Sequence, residues 1–141
     1  MKKVLVDINV ILDCLNQRNN FETAAEIINL CEEKEAIGFV GAHEITTLSY
    51  FLNKSDKDTA RVKTTLLTIL DIFSVIPIAG NVLREALLSP INDYEDAVLE
   101  VSALAEKLDF IITRNLSDFT DSRVSALTPE EFLDMRRTIT T

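Results

Sequence analysis

The chain has 141 residues, 47% hydrophobic and 26% charged; a domain of about this length buries roughly 68–70% of its unfolded surface and needs no staple. No apolar run approaches the roughly 20 residues that cross a bilayer, which excludes a membrane-spanning protein. A net charge of −9, from 14 basic against 23 acidic residues, excludes a grip on nucleic acid by broad phosphate neutralisation, though not one that works through metal ions held by acids.

The Met-Lys-Lys start is followed too soon by Asp7, Asn9 and Asp13 to read as a signal peptide, so a cytoplasmic location and one domain over residues 1–141 are expected. Cys14 and Cys31 form no CxxC and the chain has one histidine, which suggests neither a zinc site nor a disulfide framework. Cys31 follows Ile27 and Ile28 at helical spacing and reads as a small core residue.

In chain order, KVLVD (3–7) reads as a strand covered on both faces. Ile8, Ile11, Leu12 and Leu15 then recur at helical spacing, ending at the polar NQRNN. A second amphipathic helix starts at Phe21 with Ala24, Ile27, Ile28 and Cys31 inward. AIGFV (36–40) is strand two, broken by Gly41, and residues 43–54 form a helix with Ile45, Leu48, Ser49 and Leu52 on one side. Residues 56–73 give the longest helical segment, with Ser55 or Asp56 as its cap. SVIPIAG (74–80) is strand three, placed at a sheet edge because Pro77 lacks a backbone donor. A short helix follows and stops at Pro90.

Residues 94–108 carry a wide apolar stripe of Ala97, Val98, Val101, Leu104, Ala105 and Leu108. DFIIT (109–113) is strand four and RVSAL (123–127) strand five. Thr128-Pro129-Glu130-Glu131 has the form of a helix start and opens a tail helix. Strands alternating with helices, without a hairpin signal or repeat, predict an α/β fold with a mainly parallel sheet.

In such sheets functional groups gather beyond the carboxyl ends of the strands. Asp7 closes strand one, Glu44 follows strand two, Asp118 follows strand four, and Asp93 and Asp96 flank the start of the helix that feeds strand four. Ordinary roles exist for most of them: a helix cap for Asp93, first-turn acids for Asp96 and Glu44, a turn for Asp118. Asp7 has no such role, because a lone buried carboxylate costs several kcal/mol.

Like charges about 4 Å apart cost roughly 4 kcal/mol at an effective dielectric near 20, so a rim of carboxylates calls for a cation. Oxygen-only donors select Mg²⁺ or Mn²⁺ over Zn²⁺. Such an ion would activate water and offset charge on a phosphoryl oxygen, which points to metal-assisted phosphodiester hydrolysis. Asp13 is expected at the surface or behind the site, and His43 beside Glu44 is solvated or touches RNA. Of the cations Arg18, Arg84 and Arg114, only Arg114 lies close to the rim.

Four segments, VLVDINVILD, AHEITTLSYFL, DYEDAVLEVSALAEKLDFIITRN and SDF, together resemble the PIN domain, the ribonuclease fold of VapC-type toxins in toxin–antitoxin pairs. The resemblance implies a three-layer α/β/α sandwich with a central, mainly parallel sheet of four to five strands. It also implies a Mg²⁺- or Mn²⁺-dependent endoribonuclease leaving 5′-phosphate and 3′-hydroxyl ends. Asp7 and Asp96 would be metal ligands, and Glu44 would bind metal or orient the attacking water. Asn9 and Thr113 match the family pattern as supporting residues. Asn115 stands where many relatives have the fourth acid; either Asp118 replaces it or three acids suffice. A homodimer and a small antitoxin partner, bound through a basic or apolar segment at the acidic rim, are implied as well.

Three other readings compete. A haloacid dehalogenase-type phosphohydrolase also places Asp after strand one but needs a second Asp two positions on, where this chain has Asn9; a receiver domain needs an Asp after strand three, which IPIAG lacks. A non-catalytic interaction module that keeps the fold is favoured by Asn115.

Overall fold

The computed structural model describes residues 1–140. Its elements are β1 (Lys3–Val6), α1 (Ile8–Leu15), α2 (Phe21–Glu32), β2 (Ile37–Gly41), α3 (Ala42–Ser55), α4 (Thr59–Ile72), β3 (Ser74–Ile76), α5 (Gly80–Ala86), α6 (Tyr94–Ala105), β4 (Phe110–Ile112), a 3₁₀ turn (Leu116–Phe119), β5 (Ala126–Leu127) and α7 (Pro129–Thr140). The strands form one sheet in the order β3-β2-β1-β4-β5, and every pairing is parallel. The chain builds outward from β1 to β3, then returns to set β4 against the other side of β1. The order therefore reverses between β1 and β4, and the crevice beyond their carboxyl ends is where an open α/β sheet binds ligands.

Alternation along the strands explains the layering. Val4, Val6 and Ile112 enter one core with α1, α2, α3, α4 and α7, while Leu5 and Ile111 enter the other with α5 and α6. Both faces are covered, as continuous apolar strands require. This is the expected three-layer α/β/α sandwich. Among the described residues no helix is long and apolar enough to cross a membrane.

Some local expectations shift. Gly41 does not break strand two; it is the last residue of β2 and the N-cap of α3. β3 lies at the sheet edge as expected, but it ends at Ile76, before Pro77. α4 is capped by Asp58, whose Oδ1 accepts the Arg61 N–H, rather than by Ser55 or Asp56. Ser55 closes α3, and Asp56 is engaged instead by the Arg61 guanidinium at 2.5 and 2.9 Å. Leu104 and Ala105, placed in the apolar stripe of α6, face solvent in its last turn, whereas Leu108 beyond the helix is buried. β5 shrinks to two residues, and the Thr128–Glu131 capping box forms in both directions at 3.0 and 3.1 Å.

Candidate functional site

β1 passes into α1 with no loop between them, and Asp7 is the junction. Its N–H still donates to the Ile112 carbonyl at 2.9 Å, continuing the ladder with β4, while its carboxylate caps α1 by accepting the Asn9 N–H. The same carboxylate accepts the Asn9 side-chain amide at 3.2 Å and the Thr113 hydroxyl at 2.9 Å. Thr113 is itself held by the Asn115 N–H at 3.1 Å. These donors let a side chain only 8% exposed carry charge at the end of an apolar strand. Burial still pushes its pKa up, the Thr113 and Asn9 bonds oppose that, and Asp118 adds to the rise.

Glu44 is more buried still, at 3% exposed. One of its oxygens accepts the Gly41 N–H and the other the Ile8 N–H, both at 2.9 Å. It thus satisfies an orphan amide at the start of α3 and another at the start of α1, locking the two helices at the rim. Burial, followed by the charge of Asp7, drives its pKa well above the usual carboxylate range.

Asp96 lies in the first turn of α6, and its N–H donates to Asp93 Oδ1 at 3.1 Å, so Asp93 is the helix cap. The half-buried Asp96 carboxyl is pushed up to about 7, by burial first and then by Asp93, Asp7, Asp118 and Glu95. Asp118, exposed on the 3₁₀ turn, therefore acts on both Asp7 and Asp96. Asp96 borders two clefts: a narrow one of about 30 Å³ shared with Asp7, Glu44, His43 and Glu95, and a wider one of about 210 Å³ shared with Asp93, Asp118 and Asp121. No Lys or Arg lines either cleft.

The structure thus brings Asp7, Glu44, Asp93, Asp96 and Asp118 to one rim and places Asn9, Thr113 and Asn115 behind Asp7. Arg114 is not available to a phosphate, because its guanidinium pairs with Asp13. Asp13, expected at the surface or behind the site, is 1% exposed and also lies 3.8 Å from Arg18. Its position on α1 turns it inward, so the pair fixes the segment after β4 against α1, aided by the Arg114 N–H on Asn9 Oδ1 at 3.4 Å. His43 faces the narrow cleft with its ring against Gly41, and its Nδ1 is buried without a hydrogen-bond partner among the described residues. Sequence reasoning overlooked Glu95, one position before Asp96, and Glu100, whose i+4 spacing from Asp96 on an apolar stripe was the available signal.

The carboxylates fit a hard divalent cation: oxygen donors that repel one another, with no Lys or Arg in either cleft and with His43 lining the narrow one. Among the described residues no group of three or more His, Cys, Asp and Glu side chains is arranged to hold a metal ion by itself; an ion such as Mg²⁺ keeps several waters and needs only one or two carboxylates directly.

The PIN domain family model matches residues 3–117. No curated protein matches the chain. Among solved structures, VapBC2 from Rickettsia felis bound to a DNA fragment from their promoter aligns with a TM-score of 0.66 at 16% identity, over 89% of this chain and 98% of that one. FitAB bound to an IR36 DNA fragment aligns at 0.72 and 16%, over 89% and 94%. FitAcB from Neisseria gonorrhoeae aligns at 0.63 and 19%, over 90% and 98%. These likenesses establish the shared fold, and the family match covers most of the chain: it belongs to the PIN domain family.

Proposed function

We propose that the protein is a Mg²⁺- or Mn²⁺-dependent endoribonuclease and the toxin half of a toxin–antitoxin pair. The observation that carries this reading is that Asp96 borders one cleft with Asp7 and Glu44 and another with Asp118, acids from separate segments gathered at the switch between β1 and β4. Family membership supports nuclease chemistry, and the structural neighbours, described as VapBC and FitAB complexes, support an antitoxin partner.

In this reading Asp7 and Asp96 hold the cation, with Asp118 approaching from the 3₁₀ turn in place of the acid that Asn115 lacks. The ion supplies Lewis acidity toward a phosphoryl oxygen and raises the acidity of water. Thr113 and Asn9 fix the rotamer of Asp7, so its carboxylate needs no reorganisation when substrate arrives. Glu44 acts mainly by orientation, since each of its oxygens already accepts a backbone N–H. Asp96, its carboxyl pushed up to about 7 by burial and by its acidic neighbours, is partly protonated near neutrality and would give up that proton on binding a cation.

Asn9 speaks against the haloacid dehalogenase reading. It occupies the position of the second aspartate and spends its amide on Asp7. Asn115, standing where the fourth acid is expected, favours the other rival, a binding module without catalysis. RNA cutting separates them: the wild type cleaves with Mn²⁺ or Mg²⁺, and Asp7→Asn loses about 100-fold or more, as expected when an electrostatic anchor of the transition state is removed. Equal cutting by Asp7→Asn discards the assignment, and no cutting by wild type with no metal-induced rise in melting temperature favours the binding module.

A further inference from the structure

Glu100 is a fully buried carboxylate that the proposed chemistry does not use. It lies one turn beyond Asp96 on the same face of α6, so its side chain projects beneath the acidic rim. A buried charge persists only when it is paired and its lone pairs are filled. Glu100 meets that condition with partners from two loops. Oε1 accepts the Ser89 hydroxyl at 2.6 Å and the Arg123 guanidinium at 2.8 Å, and Oε2 accepts the Arg123 backbone N–H at 2.6 Å. Ser89 Oγ in turn accepts the Ile91 N–H at 3.1 Å.

The two loops are the walls of the wider cleft. The segment after Ser89 runs through Ile91 to Asp93, and the segment before Arg123 carries Asp118 and Asp121. α6 lies beneath both, and Ile91 of one loop shares its hydrophobic core with Phe119 and Val124 of the other. We propose that Glu100 is a positioning residue: by binding both loops at one carboxylate, it sets the spacing of Asp93 and Asp118 on either side of Asp96, and so tunes how tightly the rim takes a divalent cation. Its pKa, held below the usual value by Arg123 and Ser89 against the opposing effect of burial, keeps this anchor charged at neutral pH. The step from loop spacing to cation affinity rests on the nuclease reading; the anchoring itself does not.

The test uses three variants of the full chain. Ser89→Ala frees only the Asp93 wall, Arg123→Ala removes the guanidinium from a residue half exposed to solvent, and Glu100→Gln removes the shared charge. Backbone hydrogen exchange reads the loops, and Mn²⁺ calorimetry reads the site. In Ser89→Ala, exchange at Ile91 is expected to rise with little change at Arg123. In Glu100→Gln it is expected to rise at both by about tenfold or more, as for loss of a charge-assisted bond. Mn²⁺ affinity should fall about tenfold in Glu100→Gln and less in the single-loop variants, with RNA KM unchanged. Should Glu100→Gln fail to fold, Ser89→Ala and Arg123→Ala must still loosen their own loops separately. Unchanged loop exchange in all three overturns the anchoring. Looser loops with wild-type Mn²⁺ affinity overturn the tuning, whereas a wild type that binds no Mn²⁺ overturns both the nuclease reading and the tuning and leaves the anchoring to the exchange data.

Discussion

Asp96 and Glu44 are both acids with raised pKa values, yet their surroundings assign them opposite roles. Among the described residues no backbone N–H donates to the Asp96 carboxylate, which is driven to about 7, against an ordinary 3.8. The folded protein therefore binds a proton that the unfolded chain has already released between those values. Stability contributed by this group falls as pH rises through that window and levels off above about 7. Asp96→Asn is expected to raise the melting temperature in chelator at pH 8 and to flatten its pH dependence, while abolishing the stabilisation that Mn²⁺ gives the wild type. Glu44→Ala should do the reverse to stability: the buried Gly41 N–H loses its acceptor at a cost of about 1–3 kcal/mol, and the part-buried Ile8 N–H adds a smaller loss. Thermal melts across pH 5–8, with and without Mn²⁺, check both. The sequence singled out Asp7 as an acid closing an aliphatic strand, but the expectation that it has no ordinary role fails, because its carboxylate also caps α1. The sequence hid Asp13 and Glu100, since a charged residue on a helix reads as solvated until the fold supplies Arg114 or Arg123.

At the scale of elements, hydrophobic period and turn residues sufficed for strand and helix order, because most segments bury one continuous face. What failed was choice among equivalent local signals. Ser55, Asp56 and Asp58 are all competent caps for α4, and only the Arg61–Asp56 pair, which holds the Asp56 carboxyl down to about 2, leaves Asp58 for the task. β2 shows the converse, a constraint invisible in propensity. A Cβ added at Gly38 would sit 2.6 Å from Cys31 Sγ and 2.7 Å from the Phe73 ring, where α2 and the end of α4 close on the sheet. Gly38→Ala is therefore expected to cost about 1–3 kcal/mol through overpacking, measured by urea denaturation, and to leave Mn²⁺ affinity unchanged because the site lies at the other end of β2. Wild-type stability in Gly38→Ala would mean that Phe73 gives way freely.

For the whole molecule, the sheet order converts scattered acids into one rim. Strand order was not legible in the sequence, since parallel strands of similar length and composition carry no pairing label. Placing β4 beside β1 sets Thr113 against Asp7 and brings the helix and turn that flank β4 to the same edge. A protein with net charge −9 then has a concentrated reason to take up a cation there. The most direct measurement is a crystal grown or soaked with Mn²⁺ and read by anomalous scattering. The account predicts an ion within about 2.6 Å of carboxylate oxygens of both Asp7 and Asp96, the outer limit for a hard divalent cation on oxygen. Saturating Mn²⁺ with no ion shared by those two residues would contradict it.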